Sequence, residues 1–193
     1  MIKQDPRIAK TLELLKIGFI DLLLENTLEQ VTIKKLTSSA KINRTTFYLH
    51  FTDINDFVEQ MINQIIEDWT IIANEEDPNY SYHSISDPYP GFIKLLQHIH
   101  DEAILYRILL VENRVPVFTT KVREWVIGYI KPGFESGNVA YDVNSYVPSL
   151  RHIHLASGTL GAITWWIEKD FPLNAQDFAI ELTKIGVKGA LFS

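Results

Sequence analysis

The sequence predicts an all-α protein: an N-terminal three-helix helix-turn-helix unit followed by a larger C-terminal helical body. Apolar residues recur at steps of three and four along most of the chain, the signature of helices with one buried face. Within residues 26–52 two short segments, each led by a capping residue, are separated by a tight turn. The second of them lies in KINRTTFYLHF, residues 41–51, which carries cations, hydroxyls and a histidine without one carboxylate, in a chain of net charge −6.

Taken in order, Ile8, Leu12, Leu15, Phe19, Leu22 and Leu23 place an amphipathic helix over 6–25, with Pro6 acceptable in its first turn. Thr32 is the expected N-cap of a short helix, IKKLTSSA, with Ile33, Leu36 and Ala40 inward and Lys34 and Lys35 outward. Lys41, Ile42 and Asn43 form the turn. Asn43 then caps a third helix at about 43–50, RTTFYLHF, in which Phe47 and Phe51 face the core while Arg44, Thr45, Tyr48 and Leu49 point away. Two short helices joined by a tight turn and braced by a longer one make a helix-turn-helix.

Residues 55–74 continue as a long connecting helix with Phe57, Val58, Met61, Ile62, Ile65, Ile66 and Trp69 as its apolar stripe, long enough to serve both halves. The stretch 74–91 is linker-like, and Tyr80, Tyr82 and Tyr89 within it are exposed loop tyrosines or a lid. The body shows helical patterns at 91–112, 115–136, 146–169 and 174–190, with breaks at Pro116, Pro132-Gly133, Pro148 and Pro172. ASGTLGA, residues 156–162, is small enough for close helix approach. With Phe178, Ile180, Leu182, Ile185 and Val187 of the last segment it suits a four-helix homodimer interface, or else an intramolecular core. The expected organisation is a DNA-binding unit at 1–54 and an effector-binding and dimerisation body at 55–193.

Charge distribution decides between partners. Residues 1–60 hold eight Lys or Arg against eight Asp or Glu, so all the surplus acid lies beyond them. Every position from Gln30 to Thr52 lacks a carboxylate, leaving a local cationic face on an acidic body, the footprint of a module that binds double-stranded DNA. No cysteine is present, which excludes disulfides and thiolate metal sites and fits a reducing compartment. The N-terminal residues are too polar for a signal peptide and no apolar run reaches the eighteen or so residues of a membrane span, so a cytoplasmic protein without membrane contact is expected.

VTIKKLTSSAKINRTTFYLHFTDINDFVEQMI, residues 31–62, resembles the DNA-binding segment of TetR-type transcriptional regulators, most specifically in Phe47-Tyr48-x-His50-Phe51 and in Asp53 and Asp56 ahead of an apolar helix. The resemblance extends more weakly into YRILLVENRVPVFTTKVREWV and HLASGTLGAITWWIEKDFPLNAQDFA, which look like the branch that includes regulators of dihydroxyacetone kinase operons. It implies an all-helical homodimer whose body, on binding a ligand or a partner, releases DNA. It also implies that Thr32 contacts phosphate, that Asn43, Arg44 and Thr45 read bases, and that Thr46, Tyr48 and His50 contact or orient phosphates; Lys34, Lys35 and Lys41 add cationic contacts. Two positions depart from the family pattern: Lys41 stands where a turn glycine is frequent, and Ile54 where a phosphate-binding lysine is frequent.

No nucleophile elbow, zinc-protease helix, phosphate-binding loop or dinucleotide fingerprint is present, so no enzyme activity and no cofactor are expected. His98 and His100, like His152 and His154, are two apart and fall on different helix faces; no metal site is expected, though zinc sensing through distant residues stays open. Trp69, Tyr106, Trp125, Tyr129 and Tyr141 line an effector pocket or fill a core. The expected function is a ligand-responsive, homodimeric repressor of a pseudo-palindromic operator. The alternatives are a regulator controlled by a protein co-regulator, and a helical interaction protein or orphan enzyme that keeps the helix-turn-helix only as structure.

Overall fold

The computed structural model describes residues 6–75, 87–136 and 147–188, with backbone alone for 6–9, 131–136, 147–149 and 187–188. Among the described residues there are helices and no strands. Helix α1 (Pro6–Leu23) leads through a 3₁₀ turn (Leu28–Gln30) to α2 (Ile33–Ser39), α3 (Arg44–Tyr48) and the long α4 (Ile54–Ala73). The body follows with α5 (Pro90–Asp101), α6 (Ala103–Arg107), a π-helical turn (Ile108–Glu112), α7 (Pro116–Ser136), α8 (Val147–Glu168) and α9 (Ala175–Lys188).

The first three helices close on a small core of Leu15, Phe19 and Leu23 from α1, Leu36 and Ala40 from and after α2, and Phe47 and Phe51 at and beyond α3, all buried. Helix α1 approaches α2 so closely that a Cβ on Gly18 would lie 2.7 Å from the Ala40 backbone nitrogen. Helix α4 seals this core from below with Phe57, whose ring sits 5.5 Å from Phe19 and 5.2 Å from Phe51. The other end of α4 sends Trp69, fully buried, among Tyr106, Phe118 and Trp125 of the body. One helix therefore belongs to both cores. Each fully buried side chain of this size contributes roughly 1.5–3 kcal/mol.

The structure departs from the expected elements in three places. Helix α3 ends at Tyr48 rather than near 50, because the Thr52 N–H donates to the Asp56 carboxylate (2.8 Å) and the His50 N–H turns back to the Phe47 carbonyl (3.0 Å). His50 and Phe51 thus lie just past the helix. The expected helix at 91–112 breaks at Glu102 and finishes in the π turn, where the Asn113 N–H donates to the Ile108 carbonyl five residues back (3.0 Å). Conversely, the expected break at Pro132-Gly133 is absent: α7 runs on to Ser136, and the carbonyl that Pro132 leaves without its usual donor belongs to Gly128, an exposed residue that water reaches.

Helix α9 turns Ala175, Phe178 and Ala179 into its own protomer, with Phe178 stacked on Trp166 at 4.5 Å, while Ile185 stays exposed. On α8 the residues Leu150, Ile153, Ser157, Gly158, Gly161 and Trp165 are exposed along one side, and a Cβ added at Gly158 or Gly161 would meet nothing within 4 Å. Val187, part of the expected apolar stripe of α9, and Ile8 of the first helix have no described side chain, and Tyr80, Tyr82 and Tyr141 lie outside the described residues. Among the described residues no helix is long and apolar enough to cross a membrane.

Candidate nucleic-acid interface

The helix-turn-helix surface is built by its caps. Thr32 adopts an extended backbone and its hydroxyl accepts from the Lys35 N–H (3.3 Å), starting α2; Asn43 does the same for α3, its carbonyl oxygen accepting from the Thr45 N–H at 2.9 Å. Between them Lys41 takes the left-handed backbone (φ 53°), the conformation a glycine would adopt without penalty. The turn thus keeps the geometry expected of a glycine, with a lysine held in it.

Lys34, Lys35, Lys41, Asn43, Arg44, Thr45 and Tyr48 are exposed, while Thr46 and His50 are half-buried. Lys34, Lys41 and Arg44 make no ion pair among the described residues, so their charge faces solvent unopposed. Lys35 is different: its ammonium donates to the Asn26 side-chain oxygen (3.0 Å), and Asn26 in turn donates to the Leu22 carbonyl near the end of α1 (2.9 Å). Tyr48 stands edge-on to Phe47 at 5.7 Å and is largely exposed, and His50 rests edge-on to Phe51 at 6.2 Å.

The acids that border this face are occupied. Asp53 caps α4 by accepting from the Asp56 N–H (2.9 Å), and Asp56 accepts from the Gln60 amide and from the Thr52 N–H and hydroxyl. The Gln60 and Thr52 hydrogen bonds hold the Asp56 carboxyl below the usual carboxylate range. Ile54 packs against the core and offers no cation at the start of α4.

Trp69, Tyr106, Trp125 and Tyr129, four of the residues expected to line an effector pocket, do meet, but as a packed cluster. The Trp69 indole N–H donates to the Tyr106 hydroxyl (2.7 Å), which sits 3.0 Å from the His98 Nε2. With its oxygen accepting from Trp69, the Tyr106 hydroxyl joins the indole to the His98 ring in one hydrogen-bonded chain. Burial pushes the Tyr106 phenol well above its ordinary value, so it stays a donor. Trp125 stacks on Tyr129 at 5.0 Å and donates from its indole to the Thr70 hydroxyl at 2.9 Å. The chain α4–α6–α5 that results was not visible in the sequence, where His98 appeared only as half of a non-chelating pair. Asn113 was missed as well: its amide donates to the Leu23 carbonyl (3.2 Å), tying the end of α1 to the body just after the π turn.

A two-helix reading head with unopposed cations, mounted on a helical body through a shared helix, defines a DNA-binding transcriptional regulator. A family model described as a transcriptional regulator C-terminal region, of the TetR type, matches residues 86–186, more than half of the chain. The chain belongs to the TetR family of transcriptional regulators. Among solved structures it is similar to the dihydroxyacetone kinase operon activator DhaS (16% identity, TM-score 0.59, covering 95% of this chain and 98% of that one). It is also similar to the fatty acid degradation regulator FadR from Bacillus halodurans (14%, 0.64, 99% and 100%). A third is NalD, the secondary repressor of the MexAB-OprM multidrug efflux pump in Pseudomonas aeruginosa (16%, 0.59, 96% and 98%). At such identities the likeness is one of fold. No curated protein sequence matches the chain significantly.

Proposed function

We propose that the protein is a homodimeric, ligand-responsive repressor that lays α3 of each protomer in successive major grooves of a pseudo-palindromic operator. Residues 1–54 would form the DNA-binding unit and 55–193 the effector-binding and dimerisation body. The observation that carries the reading is the face made by Lys34, Lys41, Arg44, Thr45 and Tyr48: exposed, cationic, and cleared of free acid by the Asp53–Asp56 cap.

Roles follow from which atoms are already used. Arg44, at the start of α3, has its whole guanidinium available for a bidentate contact to guanine, worth about 1–3 kcal/mol of discrimination. The Asn43 carbonyl is committed to the α3 cap, so only its amide N–H groups remain; the donor-plus-acceptor reading of adenine would cost the cap. Lys34, Lys41, Thr32, Thr46, Tyr48 and His50 serve phosphates, with Lys35 supplying charge from its seat on Asn26. An effector that rearranges the cluster of Trp69, Tyr106, Trp125 and Tyr129 would move α4, the one helix common to both cores, and with it α3.

The test is a titration of DNA from the gene's own upstream region at several salt concentrations. The slope of log K against log salt is expected at about −0.9 for each phosphate neutralised, and Arg44→Ala should relax one base position per half-site while Lys34→Ala weakens all sequences alike. A flat salt dependence, or equal losses from both substitutions across a mismatch series, would overturn the reading.

A further inference from the structure

Helix α1 carries a second apolar stripe, opposite in purpose to the one it buries. Leu14, Ile17 and Leu24 are 38%, 49% and 56% exposed, and Ile104 on α6 is 64% exposed. Three of these four, Ile17, Leu24 and Ile104, do not stand in water singly. Ile17, Ile20 and Leu24 face Ala103, Ile104 and Leu105 across an open groove of about 520 Å³ between α1 and the α5–α6 junction. That volume is within the range of small-molecule sites, roughly 300–1,000 Å³.

The polar groups of the groove all carry one sign. Asp21 on α1 and Asp101 and Glu102 at the junction line it, with no cation among its walls. Asp101 is occupied by Gln97 and His100, which hold its carboxyl low. Asp21 and Glu102 make no side-chain hydrogen bond or ion pair among the described residues. The C-terminal end of α5 and the N-terminal end of α6 meet at Glu102, so their dipole ends oppose each other and the carboxylates set the local potential. An apolar floor with carboxylates on both walls selects for a compound that is apolar along its length and positive at one end. All three carboxylates are exposed, so their pull is a screened one: it favours a cation, repels an anion and adds nothing for a neutral compound.

We propose that this groove is a binding site for small lipophilic cations, separate from the Trp69 cluster. One wall belongs to the helix-turn-helix unit and the other to the body, so an occupant bridges the two. Binding at this site does not depend on the DNA-binding reading, and it is measured without DNA.

The experiment uses dodecyltrimethylammonium below its micelle concentration, titrated calorimetrically into the full-length protein, with dodecyl maltoside as the uncharged amphiphile of equal chain length. Expected are one saturable cation site per chain, at least tenfold weaker binding of the maltoside, and at least a tenfold loss of cation affinity in the double variant Asp21→Asn, Glu102→Gln. Neither side chain has a hydrogen bond or ion pair to lose among the described residues, so that variant is expected to keep the wild-type circular dichroism and melting curve. Ile104→Ser, at an exposed position, should weaken both amphiphiles. No saturable cation binding, equal affinity for the two amphiphiles, or an affinity unmoved by the double variant would overturn the proposal; the last outcome places the cation elsewhere, for instance at the aromatic cluster.

Discussion

At the scale of single residues, Lys41 shows how a binding surface and a stable turn pull apart. Its left-handed backbone (φ 53°) costs a non-glycine residue about 1 kcal/mol, and no ion pair among the described residues offsets it. Lys41→Gly should therefore raise stability by about 1 kcal/mol and lower DNA affinity through the loss of one cation, two opposite signs read from a thermal melt and an operator titration of one variant. A fall in both would mean that the lysine stem packs in the turn. Residues of this local kind were the ones legible in the sequence. Thr32, Asn43 and the inward Phe47 and Phe51 follow from capping chemistry and helical period within ten residues of chain. Asn113 was not legible, because its partner, the Leu23 carbonyl, lies ninety positions away and no local pattern selects it.

At the scale of elements, two glycines set how near helices come. A helical glycine is ordinarily about 1 kcal/mol worse than alanine. At Gly91 the sign reverses, because a Cβ would fall 1.9 Å from the Ala73 carbonyl oxygen where α5 starts against the end of α4. Gly91→Ala is expected to cost about 1–3 kcal/mol, lowering the melting temperature by several degrees, and Gly18→Ala somewhat less, whereas Gly158→Ala on open α8 should be neutral or stabilising within the isolated protomer. The joint between α4 and α6 makes a second case. Tyr106→Phe leaves the buried Trp69 N–H without its acceptor and should cost about 1–3 kcal/mol, against less than about 0.5 for Tyr48→Phe on the surface. Helix positions in the body were read from periodicity, but the break at Glu102 and the π turn were not. They fall where α6 packs on α8 while its Tyr106 reaches Trp69 of α4, a long-range juxtaposition that leaves no mark on the order of apolar residues.

At the scale of the whole molecule, the spacing of two reading heads depends on α4 and on whatever joins the protomers. Operator half-sites on one face of B-DNA lie about 34–36 Å apart, so each protomer must hold α3 at a fixed distance from the molecular two-fold axis. The exposed side of α8, with Leu150, Ile153, Trp165 and two glycines at which an added Cβ would meet nothing within 4 Å, is the surface proposed to lie at that axis. Gly161→Glu tests it without harming the protomer: the new side chain has open space, and glutamate is the better helix former. The variant should keep its helical circular dichroism and melt no lower than the parent once both are monomeric, yet sediment as a monomer. With one half-site contact in place of two, operator affinity should fall at least about a hundredfold, since joining two modules multiplies affinity by about 10²–10⁴. A variant that still sediments as a dimer would move the axis off α8. A monomer that kept full operator affinity would instead show that α3 does not act in pairs, and the link from α4 to half-site spacing would go with it.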